Sequence, residues 1–138
     1  MADPKQGGTV AKGHEEAMKM AVSLLKEFGL PEGLLPLDDV AEAGFVKETG
    51  FFWIVQRKAT KHRFELVGKQ VSYDVEVSAY MEKNKVRKMK GVKAKELMAL
   101  WPPVVEIVVD DPPTGKVRFR SLGGVAKAFP VQAFAAGQ

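Results

Sequence analysis

The spacing of apolar positions changes once along the chain, and the change divides a helical opening from a strand-rich remainder. From Lys12 to Phe28 the residues Ala17, Met18, Ala21, Val22, Leu25 and Phe28 recur at three- and four-residue steps, while Glu15, Glu16, Lys19, Ser23, Lys26 and Glu27 fill the other arc. This spacing predicts an amphipathic helix over 12–28. Gly29 suits a left-handed C-terminal cap and Pro31 cannot prolong a helix, so the stop is specified twice. Past Leu37 the period moves towards two. β-Branched and aromatic residues concentrate in Phe51-Phe52-Trp53-Ile54-Val55, and Thr49-Gly50 and Gly68 divide the segments. The clearest alternation sets Val71, Tyr73, Val75, Val77 and Ala79 against Gln70, Ser72, Asp74, Glu76 and Ser78, a strand with one buried and one wet face.

A hairpin is expected from Val104 to Leu122, turned by Asp110-Asp111-Pro112-Pro113-Thr114-Gly115. With Asp111 facing Gly115, Val109 meets Val117, Ile107 meets Phe119, Asp110 meets Lys116 and Glu106 meets Arg120. Apolar pairs then share one face and opposite charges the other, an agreement that a one-residue slip destroys. The pattern is poorer between Lys83 and Lys95, and residues 94–100 fit a short helical turn or a strand, with strand the favoured reading, before Trp101-Pro102-Pro103 forces extended backbone. The end, from Val125 to Phe134, is read as a further strand interrupted at Pro130. The expected organisation is a tail over 1–11, a single domain over 12–134 and a short tail over 135–138. The fold class is mainly β with one N-terminal helix, an antiparallel rolled or barrel-like domain.

Composition narrows the chemistry. With 138 residues, 46% of them apolar, the chain suits one domain with one core. Cysteine is absent, which excludes disulfides, thiolate nucleophiles and cysteine-held metal. The opening residues lack the apolar run of a secretory signal, so an intracellular, cytoplasmic location is expected. The net charge of +4 is unevenly placed: residues 1–55 carry 5 Lys/Arg against 9 Asp/Glu, residues 56–95 carry 12 against 4, and residues 96–138 carry 4 of each.

The run Gly29-Leu30-Pro31-Glu32-Gly33-Leu34-Leu35-Pro36, followed by Gly50 and Trp53, Val105-Glu106-Ile107 with Asp110, Gly115, Lys116 and Phe119, and finally Phe129-Pro130-Val131 with Phe134, resembles the domain of unknown function 538 family. That family is known mainly from plants. The resemblance covers about residues 12–134 and implies a mostly antiparallel, rolled-barrel β structure preceded by a helix. Members have been likened to bactericidal permeability-increasing lipid-binding proteins, and some have been proposed to hydrolyse chlorophyll-type esters. Many members begin with a secretory signal, so extracellular roles are not carried over to this chain.

Hydrolysis needs a nucleophile, a base and an oxyanion hole, yet no Gly-x-Ser-x-Gly segment exists. Ser121 before Leu122-Gly123-Gly124 is the one candidate nucleophile, with His14 or His62 as its base; its ordinary reading is a serine leading into a glycine turn. Neither histidine has a ligand-type residue four positions away, and Asp38-Asp39 with Glu42 lacks the spacing of a calcium loop, so neither a metal site nor a cofactor is expected.

Binding is the favoured function class. Lys83, Lys85, Arg87, Lys88 and Lys90 offer positive charge, and Trp53, Trp101 and Phe119 offer apolar contact, for an amphipathic or lipid-like anionic ligand. Peripheral membrane contact fits the same residues; scarce aromatics disfavour single-stranded nucleic acid. The plain reading of the lysines is that they are solvated strand edges that discourage aggregation. The plain reading of the aromatics, with Met81, Met89 and Met98, is core packing rather than a cavity wall. A protein-interaction module exposing Pro102-Pro103 and the Gly29 to Leu37 loop is a third possibility. Oligomeric state is not encoded in any of these patterns.

Overall fold

The computed structural model describes residues 3–96 and 100–138. The chain order is β1 (Thr9–Lys12), α1 (His14–Glu27), β2 (Val40–Val46), β3 (Phe51–Gln56), β4 (Thr60–Phe64), β5 (Lys69–Glu82), β6 (Lys85–Ala94), β7 (Val104–Val109), β8 (Lys116–Ser121) and β9 (Ala126–Pro130), then a 3-10 helix (Val131–Phe134). Among the described residues these nine strands form one antiparallel sheet in the order β1-β2-β3-β5-β6-β7-β8-β9. β4 lies on the same edge of β5 as β3.

The sheet is not closed into a barrel, which corrects the barrel-like expectation. β1 and β9 are its two ends, and no ladder joins them. The sheet curls instead, and side chains fill the gap. Phe134 meets Phe64 of β4 at 4.7 Å between ring centroids, Phe119 of β8 at 4.8 Å and Phe129 of β9 at 6.1 Å. Ala17, Ala21, Leu24 and Leu25 of α1 are buried with these rings against Phe52, Ile54, Val77 and Ile107.

Helix α1 is shorter at its start than the 12–28 predicted. Lys12 belongs to β1, and Gly13 at φ +85° turns the chain into the helix. Its end is as the sequence specifies. Gly29 takes φ +74°, the Leu30 N–H donates to the Leu25 carbonyl at 2.8 Å, and the Gly29 N–H donates to Lys26 at 3.1 Å. Leu30, Pro31, Leu34, Leu35 and Leu37 are then buried, so the Gly29 to Leu37 segment is a core strap and not the exposed loop of an interaction module. Gly33 is needed there because a Cβ would lie 2.2 Å from the Ala135 carbonyl oxygen.

The Val104 to Leu122 hairpin has the predicted register: Val109 pairs with Val117, Ile107 with Phe119 and Glu106 with Arg120, and the Asp110 N–H donates to Lys116 at 3.2 Å. Four other expectations change. Val75 is 44% exposed although Val71, Tyr73, Val77 and Ala79 are buried. The reason is a change of partner: β4 pairs with β5 up to Tyr73, β3 pairs from Glu76 onwards, and β6 leaves a register break over the same stretch. The expected final strand ends at Pro130, after which the 3-10 helix drives Phe134 inwards. Residues 9–11, expected in the tail, form β1 on β2 together with Lys12. Of the strand expected over 94–100 only Ala94, the last residue of β6, is strand among the described residues; residues 97–99, with Met98, lie outside them.

Candidate binding arch on strand β6

β6 departs from regular pairing on both edges. Towards β7 it is pinned at Lys85–Val108 and Val86–Ile107, and again at Lys93–Pro103. Between these anchors β6 spends six residues, Arg87 to Val92, where β7 spends three, Val104 to Glu106. The surplus forms an arch between the two anchors, with no ladder to β7 among the described residues. Lys88 at φ +52° and Gly91 at φ +89° accommodate the excess, and a Cβ at Gly91 would lie 2.3 Å from the Glu76 carbonyl oxygen. A bulge of this kind re-aims side chains, and a left-handed lysine is a strained choice for mid-strand.

The arch separates two surface clefts. One, of about 500 Å³, runs between β6 and β7 and is lined by Lys88, Met89, Lys90, Lys93, Pro103 and Val105, with Asp74 at its edge. The other, of about 420 Å³, lies on the β5 side against Phe51, Tyr80, Ser78, Lys5 and Glu76. Both are lined by Lys88 and Lys90. The Lys88 Nζ stands 5.8 Å from the Tyr80 ring centroid, and Phe51 tilts against Tyr80 at 5.1 Å. Among the described residues, Lys88, Lys90 and Lys93 have no carboxylate within 4.0 Å, whereas Lys5 is paired with Glu76 at 2.8 Å. Cation density beside apolar walls is what an anionic amphiphile requires.

The structure distributes the other expected site residues. Arg87 is bound to Glu82 and Lys85 to Glu106, so both are neutralised. Lys83 borders a separate open cleft of about 570 Å³, away from the arch, that also holds Lys85, Arg118, Asp110 and Asp111. Trp53 is buried on the outer face of β3. Its indole N–H donates to Glu42 at 2.8 Å, its ring lies over Gly44, and Lys5 covers it at 5.2 Å. That hydrogen bond, with Lys12 nearby, holds the Glu42 carboxyl below its usual range. Phe119 lies with the core aromatics, and Trp101 sits under Lys61 at 5.1 Å, near the far end of β6 from Lys83.

The serine and the histidines are not assembled. The His14 Nδ1 accepts from the Val40 N–H at 3.1 Å, His62 bonds the Gln138 carbonyl at 2.6 Å, and among the described residues neither bonds Ser121. Ser121 instead donates its backbone N–H to Val125 at 2.9 Å, holding the β8–β9 turn. Among the described residues no three His, Asp or Glu side chains converge as metal ligands.

The interior is packed. The cavity enclosed by Leu25, Leu34, Phe52, Phe64, Tyr73 and Met89 measures about 30 Å³, the space of one or two waters, against the roughly 300–1,000 Å³ of small-molecule sites. The aromatic residues therefore serve as core and do not wall a ligand chamber.

A family model described as "Protein of unknown function, DUF538" matches residues 21–135. The chain belongs to the DUF538 family. The matched span of this DUF538 protein includes the second half of α1, the buried Gly29 to Leu37 strap and the whole β6 arch. No curated protein and no solved structure matches it. No helix among the described residues is long and apolar enough to cross a membrane.

The sequence pointed to Lys88 and Lys90 by their charge but missed the arch. Its signal was present in Lys88-Met89-Lys90-Gly91: a glycine inside a strand pattern whose buried residues, Val86, Met89 and Val92, recur every three positions instead of every two.

Proposed function

We propose that this DUF538 protein is a non-enzymatic binder of an anionic amphiphile, held on the surface of the sheet at the β6 arch. The observation that carries the reading is the convergence of Lys88, Lys90 and Lys93 on clefts with apolar walls, with no carboxylate opposing them within 4.0 Å among the described residues. The anionic head faces the lysines. The tail lies between β6 and β7 along Met89, Pro103 and Val105, or against Phe51 and Tyr80 across the arch. The small size of the interior cavity favours this surface mode over enclosure.

Calorimetric titration with dodecyl phosphate tests the reading. Hydrogen bonds to charged groups contribute roughly 1.5–3 kcal/mol each, so Lys88→Glu with Lys90→Glu weakens binding by more than about tenfold. Affinity also falls as salt rises. Unchanged affinity in that variant rejects the site; equal affinity for an uncharged dodecyl glycoside rejects the electrostatic part.

A further inference from the structure

We infer that the end of the sheet formed by the β4–β5 turn, residues 95–96 and 100–103 between β6 and β7, and the β8–β9 turn docks on the surface of an anionic lipid bilayer. This goes beyond ligand binding at the arch and stands on different residues. Antiparallel pairing brings the three connections to one end. Lys95 donates its N–H to Gln70 at 2.9 Å, Leu122 donates to Pro103 at 2.9 Å, and Glu96 accepts from both Lys69 and Lys127.

Each connection presents an apolar residue outward: Leu66 is 61% exposed, Leu100 63%, Leu122 68% and Val125 61%. Among the described residues, four of the six exposed large apolar side chains thus share one end of the molecule, where a chain that met only water would place polar turn residues. Trp101 lies beside them, half-buried, with Lys61 over its ring. An indole suits the boundary between head groups and acyl chains.

Charge complementarity commits the occupant to a negative surface. The segments 61–69, 93–103 and 120–127 carry seven Lys and Arg against two Glu. One of those two, Glu96, is consumed by Lys69 and Lys127, and the other, Glu65, pairs with Arg63. Lys61, over the Trp101 ring, and Lys95, beside Gln70, are left without a carboxylate within 4.0 Å among the described residues. Apolar tips beside free cations match the two layers of a bilayer surface: acyl chains receive the leucines while phosphates and carboxylates receive the lysines.

The test is sedimentation of the full chain with vesicles of phosphatidylcholine alone or containing about one-third phosphatidylserine. The expected result is binding to the second kind only, with tryptophan emission quenched by brominated acyl chains as Trp101 enters the boundary. Leu66→Ser, Leu122→Ser and Val125→Ser together should weaken vesicle binding by about tenfold or more while leaving dodecyl phosphate affinity unchanged. Lys61→Glu with Lys95→Glu should abolish the preference for phosphatidylserine. Retained vesicle binding in the serine variant, or absence of quenching in the wild type, overturns the inference. So does a lipid-free dimer that the serine variant converts to monomer, which assigns these tips to a second copy. Loss of dodecyl phosphate binding with vesicle binding intact removes the arch reading and leaves this one standing.

Discussion

The side-chain amide of Gln56 donates to the Tyr73 main-chain carbonyl at 3.2 Å, and also to that of Asp74 at 2.9 Å, at the point where β5 passes from β4 to β3. Its oxygen accepts from the Thr60 hydroxyl at 3.0 Å. A buried glutamine here replaces the hydrogen bonds that neither neighbouring strand supplies. Gln56→Leu keeps the volume but orphans the carbonyls, so chemical denaturation should show a loss of roughly 1–3 kcal/mol. Gln56→Glu should destabilise the fold as well, since a carboxylate cannot donate to either carbonyl.

Tyr73 ties the same strand to the buried strap, its hydroxyl donating to the Leu34 carbonyl at 2.8 Å. Burial pushes its phenol above the usual value of 10.0, which means that the unfolded chain releases this proton more readily than the folded one. The associated stability is complete below the ordinary tyrosine pKa and is lost as pH rises above it. Absorbance titration should show the Tyr73 phenol ionising only as the protein unfolds. Tyr73→Phe should remove this alkaline dependence and cost roughly 1–2 kcal/mol at neutral pH.

Glu96 acts in the opposite direction. The hydrogen bond from Lys127, with Lys69 as second donor, holds its carboxyl below the ordinary 4.5. Its contribution is present above that value and lost as pH falls through the lower folded value. Glu96→Gln should therefore lower stability at neutral pH and flatten the acid limb of the curve, measured by thermal unfolding across pH 3 to about 6.

Phe134 closes the gap that strand pairing leaves open. Replacing it with alanine removes the ring on which Phe64, Phe119 and Phe129 converge, and should cost roughly 3–5 kcal/mol in denaturant unfolding. Phe129→Ala, at a half-buried edge position, should cost less.

The sequence reports local chemistry far better than long-range closure. The Gly29 stop, the Ile107–Phe119 register and the inward set Val71, Tyr73, Val77 and Ala79 follow from turn residues, opposite charges and alternation, all visible within a short window. The exposure of Val75 and the role of Gln56 follow from which strands lie beside β5, and no local pattern carries that. The placement of Phe134 depends on the curl that brings Phe64 of β4 within reach of Phe119 and Phe129 on β8 and β9. At the site, the lysines of β6 were legible as charge; their display was not, because the arch arises from a three-residue mismatch with β7 that lies about fifteen residues away in sequence.

The account rests on the arch being the place where an anionic amphiphile is held. Amide chemical-shift mapping of isotopically labelled protein during dodecyl phosphate titration addresses that directly. The predicted result is saturable shifts concentrated at Lys88 to Lys93, Ser78, Tyr80 and Val105, with Leu34, Phe52 and Phe64 unmoved. Shifts centred on those interior residues, or no saturable shift at Lys88 and Lys90, would contradict it.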